Sequence, residues 1–129
     1  MDGRLVLLGL IVVIAFVAAR DLEPARPAAV LARERAADAV LVEVDRTQLC
    51  YRQRRRCYAE TVPSLLFAGG HFMRLALRHD LDIHLDASGD AYALRVTGEQ
   101  VDLALQRRGA DLVRLEVGDR PVPRLAERC

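Results

Sequence analysis

The chain predicts an α+β fold: an apolar N-terminal helix, then a long amphipathic helix packed on one face of a C-terminal four-stranded antiparallel meander. Three observations predict it. An uninterrupted apolar run, LVLLGLIVVIAFVAA, opens at Leu5 and closes at Ala19. From Ala28 to about Arg55 the apolar positions recur at three- and four-residue steps, the period of a helix. Beyond Leu81 the period drops to two and stays there through four segments separated by turn residues.

The apolar run has to leave water. Fifteen helical residues rise about 22 Å at roughly 1.5 Å each. That is short of a hydrocarbon core of about 30 Å and suits a signal-peptide core. Val17, Ala18 and Ala19 put small residues where a signal peptidase would read them, and Arg4 supplies a thin positive flank. Asp2 offsets that charge, and Arg20 can snorkel to a membrane surface and lengthen the effective span. Removal and retention both stay open, and in either case the bulk of the chain is expected outside the cytoplasm. Residues 1–20 are thus a membrane anchor or signal segment, and residues 21–27, holding Pro24 and Pro27, a linker. Residues 28–119 form the domain and residues 120–129, after Gly118 and Asp119, a tail carrying Pro121 and Pro123.

Within the domain, Val30, Ala37, Leu41, Val44, Gln48 and Tyr51 make one helical stripe, the width needed to lie along a sheet. Arginines crowd the expected last turn, where cations meet the negative end of the helix dipole. Thr61-Val62-Pro63-Ser64 is a cap and first turn for a short helix, Pro63 to Ala68, stopped by Gly69-Gly70. His71 to Arg78 fits either a short helix or an irregular connection. Then Leu81, Ile83 and Leu85 alternate with Asp82, His84 and Asp86 before a Ser88-Gly89-Asp90 turn. Tyr92, Leu94 and Val96 follow before Gly98-Glu99. Val101, Leu103 and Leu105 precede Arg108-Gly109, and Val113, Leu115 and Val117 close the series. One apolar and one polar face per strand describe a sheet covered on one side only.

Nineteen basic residues, all Arg, against eighteen acidic ones leave no overall field to gather nucleic acid, so a dedicated nucleic-acid binder is not expected. The lack of Lys and Asn reflects composition bias rather than phosphate chemistry. No nucleophile, triad or phosphate-loop context stands out, which predicts neither an enzyme nor a cofactor. His79, Asp80, Asp82, His84 and Asp86 crowd one segment. Side chains in a row along one strand face rarely converge on an ion, so a solvated polar face is the expectation and no metal site is assigned. Arg46 with Arg52, Arg54, Arg55 and Arg56 forms a candidate anionic-ligand patch, for weak, salt-sensitive contacts with phosphate or lipid headgroups.

Three cysteines remain: Cys50, Cys57 and Cys129. A disulfide is the default outside the cytoplasm, with one thiol left over. In one straight helix Cys50 and Cys57 would lie about 10 Å apart, too far to bridge, so that pairing requires the helix to end between them. The competing pairing ties Cys129 to one of the two and pins the tail. A zinc site matches no ligand spacing here.

The layout resembles type IV pilins and the pseudopilins of type II secretion: a long helix with an apolar first part, a connecting segment, then a small antiparallel sheet. Cys50-Tyr51 followed by Tyr58-Ala59-Glu60-Thr61-Val62 and Leu65-Leu66 is similar to the pilin-like pattern where the helix ends, and Asp90-Ala91-Tyr92-Ala93-Leu94-Arg95-Val96 to the strand after it. Cysteines at the helix end and the chain end are also found in that family. The chain departs from the prepilin pattern at its start. If Gly3 were the cleavage glycine, Leu8 would stand where the family carries the Glu that registers a subunit on its neighbour. The segment from Arg52 to Arg56 likewise carries arginines where a Gly- or Asn-containing turn is usual. The resemblance implies a membrane-anchored structural or assembly protein of the bacterial envelope, with other pilin-like subunits as partners. A secreted binding module with its signal cleaved after Ala19, for an unidentified ligand, is the alternative.

Overall fold

The computed structural model describes residues 27–68 and 70–129. The apolar segment, linker residues 21–26 and Gly69 lie outside the described residues, and with them the expected N-terminal helix. Among the described residues no helix is long and apolar enough to cross a membrane.

Helix α1 spans Ala28–Arg55, as the stripe predicts. Pro27 precedes it, and its carbonyl accepts the first backbone hydrogen bonds, from Val30 (2.9 Å) and Leu31 (3.2 Å). Ala37, Leu41, Val44 and Gln48 are buried; Val30 and Tyr51, at the ends of the stripe, are half-buried. The helix stops where Arg56 turns left-handed (φ 62°) and donates its N–H to the Arg52 carbonyl. Helix α2, Val62–Phe67, starts one residue earlier than expected, with the Thr61 hydroxyl capping Ser64 N–H. The ambiguous stretch resolves as helix α3, Phe72–Arg78, burying Phe72 and Ala76.

The sheet is the expected meander: β1 (Asp82–Ser88), β2 (Ala91–Gly98), β3 (Val101–Arg108) and β4 (Asp111–Glu116), in order β1-β2-β3-β4. Register puts Leu85, Leu94, Leu105 and Leu115 in one row across all four strands. Ile83, Val96 and Leu103 make a second row. Both rows face α1, and each fully buried aliphatic side chain there contributes roughly 1.5–3 kcal/mol of transfer free energy. A third row breaks the apolar rule: Ala87, Tyr92, Arg107 and Leu112 are in register, and Arg107 is buried. A register shift between Gln106 and Arg107 leaves Val113 unpaired in β4. The core is the layer between α1 and the sheet, closed at one side by Tyr58, Leu65 and Phe72.

Of the pairings open to the cysteines, the structure holds Cys50–Cys129, 79 positions apart in sequence, and leaves Cys57 as a free, half-buried thiol. Residues 120–129 carry no regular structure and return along α1 to make that link.

Candidate functional site

Three places hold enough polar chemistry to be weighed. The first is the arginine patch at the end of α1, and the structure divides it. Arg46 pairs with Glu43 one turn back (2.7 Å). Arg52 pairs with Asp90 in the β1–β2 turn and lies over the Tyr58 ring at 5.9 Å. The Arg52 hydrogen bond, chief among the causes, draws the Asp90 carboxyl below its ordinary value. Arg54, Arg55 and Arg56 are exposed and form no ion pair among the described residues; Arg55 stacks on Tyr51 at 5.3 Å. Of the five arginines, three therefore keep free charge. They cluster at the negative end of a helix dipole, which discourages an added anion. Tyr58 is buried and unavailable for stacking on a ligand.

The second place is the sheet face turned away from α1. Ala93 and Ala104, diagonal neighbours on the middle strands, line a shallow groove of about 960 Å³. Longer side chains wall it. Arg95 holds Asp102 across the strands (2.6 Å), and Arg114 holds Glu116 along β4. The Arg95 hydrogen bond depresses the Asp102 carboxyl, and the same bond raises the Arg95 guanidinium. Here the His84–Asp86 segment falls as expected: Asp82, His84 and Asp86 all point outward into solvent. His84 contacts the Thr97 hydroxyl at 3.3 Å. No three metal-ligating groups converge among the described residues. Opposite charges within the groove neutralise each other, so it presents small, mixed-polarity recognition rather than a charged slot.

The third place is internal, and sequence reasoning missed it. Asp45 sits mid-helix on the core face, fully buried, and Arg107 faces it from β3. The guanidinium grips the carboxylate with both branches, Nε to Oδ1 at 2.7 Å and Nη2 to Oδ2 at 2.7 Å. The Tyr92 hydroxyl donates to Asp45 Oδ1 as well. Arg107 spends its remaining donors on the carbonyls of Ala110 (2.7 Å) and Ala126 (3.2 Å). Burial by itself would lower the Arg107 guanidinium, but the hydrogen bonds and charge of Asp45 outweigh it and hold it above its ordinary value. Burial, then the charge and hydrogen bond of Asp45, push the Tyr92 phenol far up. Tyr58 stacks beside Tyr92, ring centres 4.5 Å apart, and its hydroxyl donates to the Gly109 carbonyl. Gly109 reaches that position with φ +59°, a conformation glycine takes without strain. A signal for this cluster existed. Asp45 follows Leu41 by one helical turn, and Arg107 continues the inward phase of Leu103 and Leu105.

This cluster is buried and each of its polar side-chain atoms has a hydrogen-bond partner within the chain, so it binds the protein to itself rather than to a substrate. Gln48, one turn further on, does the same for the connecting segment: its amide donates to the Ala59 carbonyl (2.9 Å) and accepts from the Ala59 N–H (2.8 Å). Compared with known proteins, the chain matches no family model, no curated protein and no solved structure.

Proposed function

We propose that the chain is a membrane-anchored, pilin-like structural or assembly protein of the bacterial envelope, working outside the cytoplasm rather than as an enzyme. The observation that carries this reading is the overhang of α1. None of residues 28–35 is buried, and the first buried position is Ala36. At about 1.5 Å per residue the helix is some 42 Å long, while an eight-residue strand spans about 26 Å. The start of the helix, before Arg33 reaches the Glu99 carbonyl at the β2–β3 turn, therefore projects past the sheet towards the end of the chain that carries the apolar run from Leu5 to Ala19. In a subunit held by its N-terminus, such a stalk spaces the domain from the membrane and offers a surface to neighbouring stalks. A disulfide closing the domain supports an oxidising compartment.

The second reading, a secreted binding module, rests on the groove over Ala93 and Ala104. Mass spectrometry of the mature chain, with membrane fractionation, separates the two. A membrane-bound chain beginning at Met1 or Arg4 supports the anchor. A soluble chain beginning at Arg20 overturns it in favour of the secreted module.

A further inference from the structure

We propose that residues 119–129 form a redox-controlled latch: with Cys50–Cys129 closed the strap seals the Asp45–Arg107 pair, and with the disulfide reduced it leaves as a unit from a body that stays folded.

The attachment of the strap points to this. Among the described residues no backbone–backbone hydrogen bond joins residues 119–129 to anything. The segment is held at four points. Arg120 reaches α1 at Asp38, and more distantly at Glu34 (3.8 Å). Leu125 packs half-buried against the core. The Ala126 carbonyl takes one hydrogen bond from Arg107, and Cys129 is bonded to Cys50. The anchors climb α1 in step, from residues 34 and 38 through residue 45 to residue 50, so the strap runs parallel to the helix.

Ordering about ten residues costs backbone and side-chain entropy along the whole strap. Against it stand one half-buried leucine, one carbonyl hydrogen bond and ion pairs near the proximal end. The disulfide is what makes the distal contacts intramolecular at short range. Once it is cut, those contacts no longer hold the strap down. The body has its own bonds: the three strand ladders, the leucine row and the Gln48–Ala59 pair do not involve the strap.

Chemically the opening step is ordinary thiol–disulfide exchange. A dithiol reductant attacks sulfur at Cys129, which lies at the exposed end of the link. The Cys50–Cys129 bond breaks, both cysteines end as thiols, and the reductant is oxidised to its own disulfide. What the latch controls is water at Arg107. The Ala126 carbonyl is one of its acceptors, and the Arg107 side chain is only 4% exposed while the strap is down.

Hydrogen exchange on the full chain in mild detergent, with and without a dithiol, tests the latch. The expected result is at least about a tenfold rise in exchange of the Arg107 guanidinium protons, which the strap covers, with the amides of β2 and β3 unchanged. Trypsin is expected to cut after Arg124 faster in the reduced protein than in the oxidised one. Cys129→Ser gives the same two results without reductant. Two outcomes overturn the proposal. Exchange at Arg107 unmoved by reduction would make the disulfide a passive tether. Loss of protection in β2 and β3 on reduction would make it a brace for the whole fold.

Discussion

Replacing Arg107 with Met would leave the Asp45 carboxylate buried and unpaired at the centre of the molecule. Arg107 and Asp45 are 4% and 0% exposed in their side chains, so water does not compensate either group. Removing one partner of such a pair costs about 3–5 kcal/mol, mostly the penalty on the charge left behind. The carbonyls of Ala110 and Ala126 also lose their donor. At a urea slope of about 2 kcal/mol/M, that cost moves the unfolding midpoint down by roughly 2 M. The double variant Asp45→Leu with Arg107→Met removes both charges and is expected to recover most of the loss. The difference is a coupling of about 2 kcal/mol or more, read from a double-mutant cycle in urea. The Tyr92 hydroxyl stays unpaired in that variant, so full recovery is not expected. A single variant costing less than about 1 kcal/mol, or a double variant as weak as the sum of its parts, would refute a desolvated pair at this position.

Other perturbations follow from the same contacts. Gln48→Leu strands both the N–H and the carbonyl of Ala59 inside the core and should cost at least about 2 kcal/mol in the same denaturation assay. Tyr92 binds its proton more tightly folded than unfolded, as the raised phenol requires. Its contribution is therefore intact below the ordinary tyrosine pKa of about 10 and drains away as pH rises beyond it. Tyr92→Phe should flatten that part of the alkaline unfolding curve; an unchanged slope would show that Tyr92 does not set it. Asp90 has the opposite sign. Its carboxyl is depressed by Arg52, so its contribution is present above the ordinary carboxylate range and lost as pH falls through the folded value. Asp90→Asn should therefore lower the neutral plateau slightly, as an exposed pair requires, and leave stability unchanged in strong acid, where the contribution is already lost.

The meander and the long helix were legible because burial is periodic. Alternation through Tyr92, Leu94 and Val96 marks the inward face of β2 whatever lies opposite, and the α1 stripe works in the same way. Turn positions shifted by a residue where the chain chose a less expected donor of positive φ. Gln100, at φ 61°, closes the β2–β3 turn that Gly98-Glu99 suggested. The arginine patch is contiguous in sequence and divided in space, because Arg46 pairs with Glu43 on its own helix and Arg52 with Asp90 in the β1–β2 turn. Asp45 and Arg107 were missed for a different reason. Local patterning treats a charge as exposed, and only the meeting of two charges 62 residues apart makes their burial tolerable.

An apolar stripe on an apolar sheet defines that α1 lies across the strands, but not how far along or at what rotation. Leucines and valines are interchangeable to a first approximation, and a shift of one turn would bury much the same area. The directional contacts of α1 remove that freedom. Asp38 meets the strap at Arg120, Asp45 meets β2 and β3, Gln48 meets Ala59, Cys50 meets Cys129, and Arg52 meets the β1–β2 turn. Each has one geometry, and together they sample the helix from about its third turn to its last. The buried pair is thus retained for position more than for net stability, since an apolar replacement of similar volume is often as stable. That gives the Asp45→Leu, Arg107→Met variant a second signature. Its midpoint should recover while its amide spectrum broadens along α1; sharp, native-like resonances there would show that packing alone sets the register.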